Sequence, residues 1–380
     1  KSLYVANGDA DTISVVDVTS HRQTATIPVN RNGSKLVGAN PTGLAFSQDG
    51  KRLYVTNSGH NEVAVINVAT RKVIGDIPTG WYPTQVLAHG RKLSITSAKG
   101  LGAGPNNGPN HPNPTDPHDT AENQYSGSLI KGLLSTVSEP DAATLAKLTA
   151  TVEKNNTAND PARSSAVPNQ IGTTSSKIKH VIYIVRENRT FDQELGSNGR
   201  GNADPSLNLF GDESAPNTRA LARQFTTFDN FYADAEVSAN GWNWVSQANS
   251  NPWSEEMWPS NYSGRGAPYP AENNDPESRA KEHDSYFWEH LSKNNISFRN
   301  YGFYTTLDKK GKAHGVDKKI LDPNTDHDFI GWTLDCPDSA RSFAPMAKNC
   351  GPKSRVDEWK SDFNKQLAKG SVPTVQLVRF

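Results

Sequence analysis

"LYVTNSGHNEVAVINV", Leu53 to Val68, decides how the first part of the chain folds, because it restates "LYVANGDADTISVVDV", Leu3 to Val18, without a gap. A second landmark, "NPTGLAFSQDGKRL" from Asn40, recurs as "YPTQVLAHGRKL" from Tyr82. The repeat unit is therefore about 42 residues with a small insertion near "RNGSKLVG", and a fixed period of this size is the mark of a repeat architecture. Within each unit, short β-branched runs such as Val15-Val16 and Ala64-Val65 alternate with turn residues at Gly8-Asp9 and Asp49-Gly50. Four short strands per period make one blade of a β-propeller.

The stretch resembles the YVTN-type β-propeller repeats, whose signature is spelled by Tyr54-Val55-Thr56-Asn57. A closed propeller takes four to eight blades. Two clear blades and part of a third are legible here, so the expectation is an incomplete ring whose other blades lie outside this sequence. The first residues, KSLYVANGD, have no initiator Met and no signal-peptide pattern, which leads us to expect a mature product or a fragment.

The bulk numbers exclude some classes of function. With 380 residues the chain has room for two or three domains. Forty Lys and Arg balance forty Asp and Glu, so no global field draws it to nucleic acid or to an anionic membrane. No apolar run reaches the length of a transmembrane segment. A mean hydropathy of −0.68, with 29 Gly and 24 Pro, favours turn-rich β architecture in part of the chain.

The two cysteines, Cys336 and Cys350, stand in "DCPDSARSFAPMAKNC". A disulfide between them closes a loop of about 15 residues, worth about 3 kcal/mol in the chain-entropy model. It is preferred to two free thiols, and with it an exported, periplasmic or extracellular location.

Beyond the repeats lies "GLGAGPNNGPNHPNPTDPHDTAENQ", which reads as a solvated insertion rather than a metal loop despite His111 and His118. "SLIKGLLSTV" then reads as a last strand. "SEPDAATLAKLTATVEKNN" reads as a helix, with Ser138 as N-cap, Pro140 in its first turn and Leu145, Leu148 and Val152 on one face. A polar linker follows. The expected layout is a propeller part over 1–137, a helix and linker over 138–172, and an α/β domain over 173–380, with the boundary near Thr173.

In "IKHVIYIVRENRTFDQELG", Ile178 to Gly196, an apolar β-branched run to Val185 predicts a strand buried on both faces of a parallel sheet. Ligands of open α/β sheets sit beyond the carboxyl ends of the strands, which is where Glu187 and Asn188 fall. Thr190 and Gln193 fit a capping box, which explains their own polarity but not that of the pair before them.

This block, together with "FDNFYADAEVSANGWNW", resembles the phospholipase C and acid phosphatase type of phosphoesterases in the alkaline phosphatase superfamily. The resemblance runs from about Lys177 to Phe380, and propeller repeats followed by such a block resemble a recurrent bacterial two-part architecture. It implies an α/β alkaline-phosphatase-like fold and a divalent metal ion (Zn, Ca, Mg or Mn) held by Glu187, Asn188 and Ser238. It also implies Ser238 as nucleophile, attacking a phosphate-ester substrate through a seryl-phosphate intermediate. From position alone Ser238 is equally an N-cap serine.

The chain departs from the family pattern at Trp242, where a His is usual before Asn243-Trp244. Family members also continue past a strand like "VPTVQLVRF" into an Asp-His motif and paired aspartates that complete the metal shell. A C-terminally incomplete domain is therefore expected, with three protein ligands too few for a competent site.

Trp242, Asn243 and Arg265 are candidate substrate contacts, and the aromatic crowd of Trp244, Trp253, Trp258 and Tyr262 reads equally as pocket lining or core. "DPNTDHDF" places Asp322, Asn324, Asp326 and Asp328 at alternating positions. His327 and Thr333 stand where a calcium loop needs Gly and Glu, so it reads as a solvated acidic turn. "SYFWEHLSKNNISFRNYG" reads as a helix with Phe287, Trp288 and Leu291 inward and then a strand, leaving His283 and His290 to surface or packing. The leading reading is a metal-dependent phosphoesterase joined to a propeller that recognises a protein or glycan. The rival is a non-catalytic surface scaffold with a vestigial phosphoesterase block.

Overall fold

The structure is a computed structural model and describes residues 1–30, 38–101, 130–157, 178–229, 231, 233–248, 250, 252–261, 286–331 and 354–380. The chain divides into two units, Lys1–Ser175 with Ala248–Tyr269, and Ser176–Gln247 with Pro270–Phe380. The boundary expected near Thr173 lies outside the described residues.

The first unit carries three antiparallel sheets. They are β1 (Ser2–Asn7), β2 (Thr12–Asp17) and β3 (Arg22–Pro28); β4 (Pro41–Phe46), β5 (Arg52–Asn57), β6 (Glu62–Asn67) and β7 (Lys72–Pro78); and β8 (Trp81–His89), β9 (Lys92–Gly100) and β10 (Leu133–Ser138). Each is a meander whose sequence neighbours pair, the strand order of a propeller-like blade. The repeat is written into the backbone. Asp11 and Asn61 turn the chain at φ 50 and 55, His21 and Arg71 at φ 53 and 55, and Asn40 and Tyr82 at φ 48 and 56. The ladder slips at Val15/Val16 and again at Val65/Ile66. Among the described residues these three sheets do not close a ring.

Strand periodicity explains why the middle sheet is the most apolar. Leu53, Val55, Ala64 and Ile66 pack with Ile13, Val15 and Ile27 of the first sheet. Tyr54, Val63, Val65 and Ile77 pack with Val86, Leu93 and Ile95 of the third. Successive side chains point to opposite faces, so a sheet covered on both sides shows a continuous apolar run.

Helix α1 (Ala142–Thr157) closes this core by setting Leu145 against it. Its cap is not Ser138, which ends β10. The Asp141 carboxylate accepts from Thr144 N–H at 2.7 Å, so the acidic residue next to the first turn takes the role. The helix reaches β7 at Gly75, where a Cβ would lie 2.6 Å from Leu145 Cγ and 2.7 Å from Thr149 Oγ1. Gly75→Ala is therefore expected to destabilise the protein by about 1–2 kcal/mol through overpacking, read as a lower urea midpoint with unchanged m-value.

The second unit is mixed α/β. Strand β11 (Val181–Val185) precedes helices α2 (Phe191–Leu195), α3 (Pro216–Gln224) and α4 (Ser238–Gln247); α5 (Pro252–Asn261) belongs to the first unit. Then come α6 (Phe287–Lys293), β12 (Phe298–Tyr301), the hairpin β13 (Thr305–Leu307) and β14 (Ala313–Gly315), α7 (Arg355–Ala368) and β15 (Val375–Arg379). The sheet is parallel in the order β11-β15-β12. As read from the sequence, Trp288 and Leu291 turn into the core, joined by Trp242, Phe298, Phe303 and Leu377, while His290 is exposed.

One expectation is corrected. β11 is not buried on both faces: Ile182 is 43% and Ile184 52% exposed, β11 is an edge strand among the described residues, and β15 is the strand buried along its whole length. An apolar run reports a preference for burial, not how many neighbours the strand has among the described residues.

Candidate active site

Register sets the geometry at the carboxyl end of the sheet. Val185 pairs with Arg379, and Phe380 N–H donates to the Val185 carbonyl at 3.0 Å. The two chain segments leave the sheet side by side, which brings Arg379 to Glu187. An Arg379 Nη2 donates to Glu187 Oε1 at 2.7 Å, with only 4% of the Arg379 side chain exposed against 24% for Glu187.

Helix α4 is tied to β11 twice. The Tyr183 hydroxyl donates to the Val245 carbonyl at 3.1 Å, and Trp242 Nε1 donates to Glu187 Oε1 at 3.3 Å. As the strand advances from 183 to 187 the helix runs back from 245 to 242, so the two are antiparallel. The first turn of α4 then lies toward the strand's carboxyl end. Ser238 is four residues before Trp242, hence on the same helix face and about 5–6 Å from it between Cβ atoms. The Arg379 guanidinium stacks 4.3 Å over the Trp242 ring, and Phe303 meets that ring edge-on at 5.0 Å.

The polar groups divide into those used by the fold and those left over. Thr190 and Gln193 form the expected capping box. Arg186 Nη1 donates to Glu194 at 3.0 Å and to Thr218 at 2.7 Å. Ser238 stands inside the first turn of α4 and its hydroxyl makes no capping bond; among the described residues neither it nor the exposed Asn188 amide has a hydrogen-bond partner. Asn243 is 2% exposed and accepts from Tyr304 O–H at 2.8 Å, yet its Nδ2 has no acceptor among the described residues. Burial pushes the Tyr183 hydroxyl pKa above the ordinary phenol value, so it remains a donor.

The structure therefore brings together Glu187, Trp242 and Arg379, the last of which sequence reasoning missed, while among the described residues no hydrogen bond joins the Ser238 hydroxyl or the Asn188 amide to them. Its signal was an Arg closing the apolar strand "VQLVR". Trp242 lies in the core rather than on an open pocket wall. Arg265, Tyr262, His111, His118, His283, Thr333, Cys336 and Cys350 lie outside the described residues, as does the Trp253 side chain. The polar turn at 322–328 does not stand free in solvent. Asp326 is buried beside Arg299 at 3.5 Å, its carboxyl pKa raised by desolvation, and Asp328 pairs with Lys312.

The donor types suit a hard divalent ion: the second Glu187 oxygen, the Asn188 amide oxygen and the Ser238 hydroxyl are all oxygen ligands. The positive charge of Arg379 beside Glu187 opposes a cation there and limits this set to weak retention unless further carboxylates join it.

No family model matches the sequence, and no curated protein matches it significantly. Among solved structures, the chain is similar to Kuenenia stuttgartiensis hydrazine synthase at 21% identity, covering 26% of each chain with a TM-score of 0.22. It is also similar to the β-propeller domain of Myceliophteria thermophila Cps50 (Swd1) at 17% identity, covering 26% of this chain and 32% of that one with a TM-score of 0.24. The chain thus spans about a quarter to a third of the structures it matches.

Proposed function

We propose that the protein is a metal-dependent phosphoesterase, hydrolysing a phosphate ester with Ser238 as nucleophile, joined to propeller-like blades that recognise a protein or glycan outside the cytoplasm. What supports this reading is the double tie of α4, the helix that begins at Ser238, to β11 through Tyr183–Val245 and Trp242–Glu187. A bound divalent ion would supply charge neutralisation for phosphoryl oxygens and favour the ionised serine.

Each residue has a stated task. Ser238 Oγ forms the bond to phosphorus as the alcohol leaves, and water then releases phosphate from the serine. The N-terminal turn of α4 favours the negative charge that develops there. Asn243, proposed from the sequence as a substrate contact, is as buried as Trp242 and accepts from Tyr304, so it positions α4 rather than touching substrate. Arg379 and Trp242 hold the Glu187 carboxylate in place.

The same ion pair favours a second reading, in which Glu187 is only the counter-charge of Arg379 and the domain is a non-catalytic scaffold. Phosphate release from an aryl phosphate by the full-length protein separates the two. Chelation is expected to lower turnover at least about 100-fold, since a metal supplies several kcal/mol and each 1.36 kcal/mol is tenfold. Readdition of a divalent ion restores it. No turnover over a broad panel of phosphate esters would leave the scaffold reading.

A further inference from the structure

A second group of metal-ligating side chains lies in the same unit, in residues that the phosphoesterase reading does not use. His314 is in β14, Asp322 opens a short 3-10 turn (Asp322–Asn324), and His327 follows it. Ligand atoms of the three lie within 4.8 Å of one another. The imidazole rings of His314 and His327 stand 4.6 Å apart between centroids.

Backbone contacts hold His327 and Asp322 in position, and Asp322 in turn faces His314. His327 Nδ1 lies 2.6 Å from the Ala313 carbonyl, which can only accept, so Nδ1 carries the proton and Nε2 keeps its lone pair. Ala313 N–H donates back to the His327 carbonyl at 2.9 Å, locking hairpin and turn together. Asp322 Oδ1 accepts from Gly315 N–H at 2.8 Å and lies 3.2 Å from His314 Nδ1. That separation matches the edge between two ligands of a tetrahedral ion bound at 2.0–2.1 Å, about 3.3 Å.

The outer contacts have the arrangement that supports a bound imidazole. His314 Nε2 faces Asp308 Oδ2 at 3.6 Å, on the ring side away from Asp322. Asp308 is itself fixed through Oδ1 by the N–H groups of Lys310 and Lys312, both at 2.8 Å. A carboxylate behind a ligating histidine sets its tautomer and raises its basicity. Of the cations nearby, Lys318 reaches Asp322 Oδ2 at 3.7 Å and donates to the Gly315 carbonyl, away from the oxygen that faces His314, and Lys312 pairs with Asp328.

We propose that His314 Nδ1, Asp322 Oδ1 and His327 Nε2 form a site for a zinc-class divalent transition-metal ion, with Asp308 as the carboxylate behind His314 and one coordination position left to solvent. Two imidazoles and one carboxylate select such an ion over Ca or Mg, which prefer all-oxygen shells. The site clips the β13–β14 hairpin to the following turn, and it stands independently of the phosphoesterase reading.

Titration of the apo full-length protein with Co(II) alone tests this. Tetrahedral visible bands are expected, together with two hyperfine-shifted imidazole N–H signals in the proton NMR spectrum, and Zn(II) should displace both. His327→Gln, at an exposed ring, and His314→Gln should each weaken Co(II) binding at least about 100-fold, beyond the 10–100-fold of outer-shell changes, while Asp308→Asn costs roughly tenfold. Ser238→Ala should leave the bands intact. Absence of the imidazole signals, or bands that persist in both histidine variants, would overturn the site.

Discussion

Ser238→Ala is expected to lower metal-dependent phosphate release by the full-length protein at least about 1,000-fold while leaving stability within about 0.5 kcal/mol of the parent. The asymmetry is what makes the substitution informative. Ser238 is half-buried at the first position of α4, and its hydroxyl has no hydrogen-bond partner among the described residues. Little structure is lost with the oxygen. A serine that served the helix as a cap would instead cost about 1 kcal/mol on removal and would leave turnover almost unchanged. Steady-state kinetics on an aryl phosphate beside a urea titration read both quantities from one preparation. Turnover that survives the substitution removes the nucleophile, whereas a stability loss without a kinetic one assigns Ser238 to the helix alone.

What could be read in advance follows from the range of each interaction. The blade-like sheets were legible because strand alternation and turn residues are local, and because a repeat states the same local signals twice. The edge position of β11 among the described residues was not, since Ile182 and Ile184 look the same whether one neighbour or two flank the strand. Arg379 is 192 residues from Glu187, and only the parallel register Val185 to Arg379 reveals that they meet.

The turn after β14 shows the complementary failure. Read as one loop, "DPNTDHDF" suggested a single acidic turn, but the fold splits it in two: Asp326 and Asp328 gather with Glu358, beside Arg299 and Lys312, while Asp322 and His327 turn toward His314. Spacing that does not share one helix face or strand face carries no information about convergence until the tertiary path is known.

The Arg379–Glu187 pair carries the second large effect. Arg379→Met is expected to destabilise the protein by about 3 kcal/mol in urea unfolding followed by far-UV circular dichroism. Removing one partner of a buried pair costs about 3–5 kcal/mol, and the lower end applies because a quarter of Glu187 remains in solvent. Loss of the guanidinium from the Trp242 face adds to the effect. Glu187→Gln alone leaves a nearly buried cation with a weaker acceptor. The double variant should therefore fall short of the sum of the two singles by at least about 1 kcal/mol, the coupling expected of groups in direct contact. Additive losses would mean that the 2.7 Å contact does no energetic work and that α4 is held by Trp242 and Tyr183 alone. Kinetics on the same four proteins then separate scaffold from ligand. A carboxylate needed for metal retention makes Glu187→Gln inactive whatever occupies position 379, whereas a carboxylate that only balances Arg379 lets activity return in the double variant.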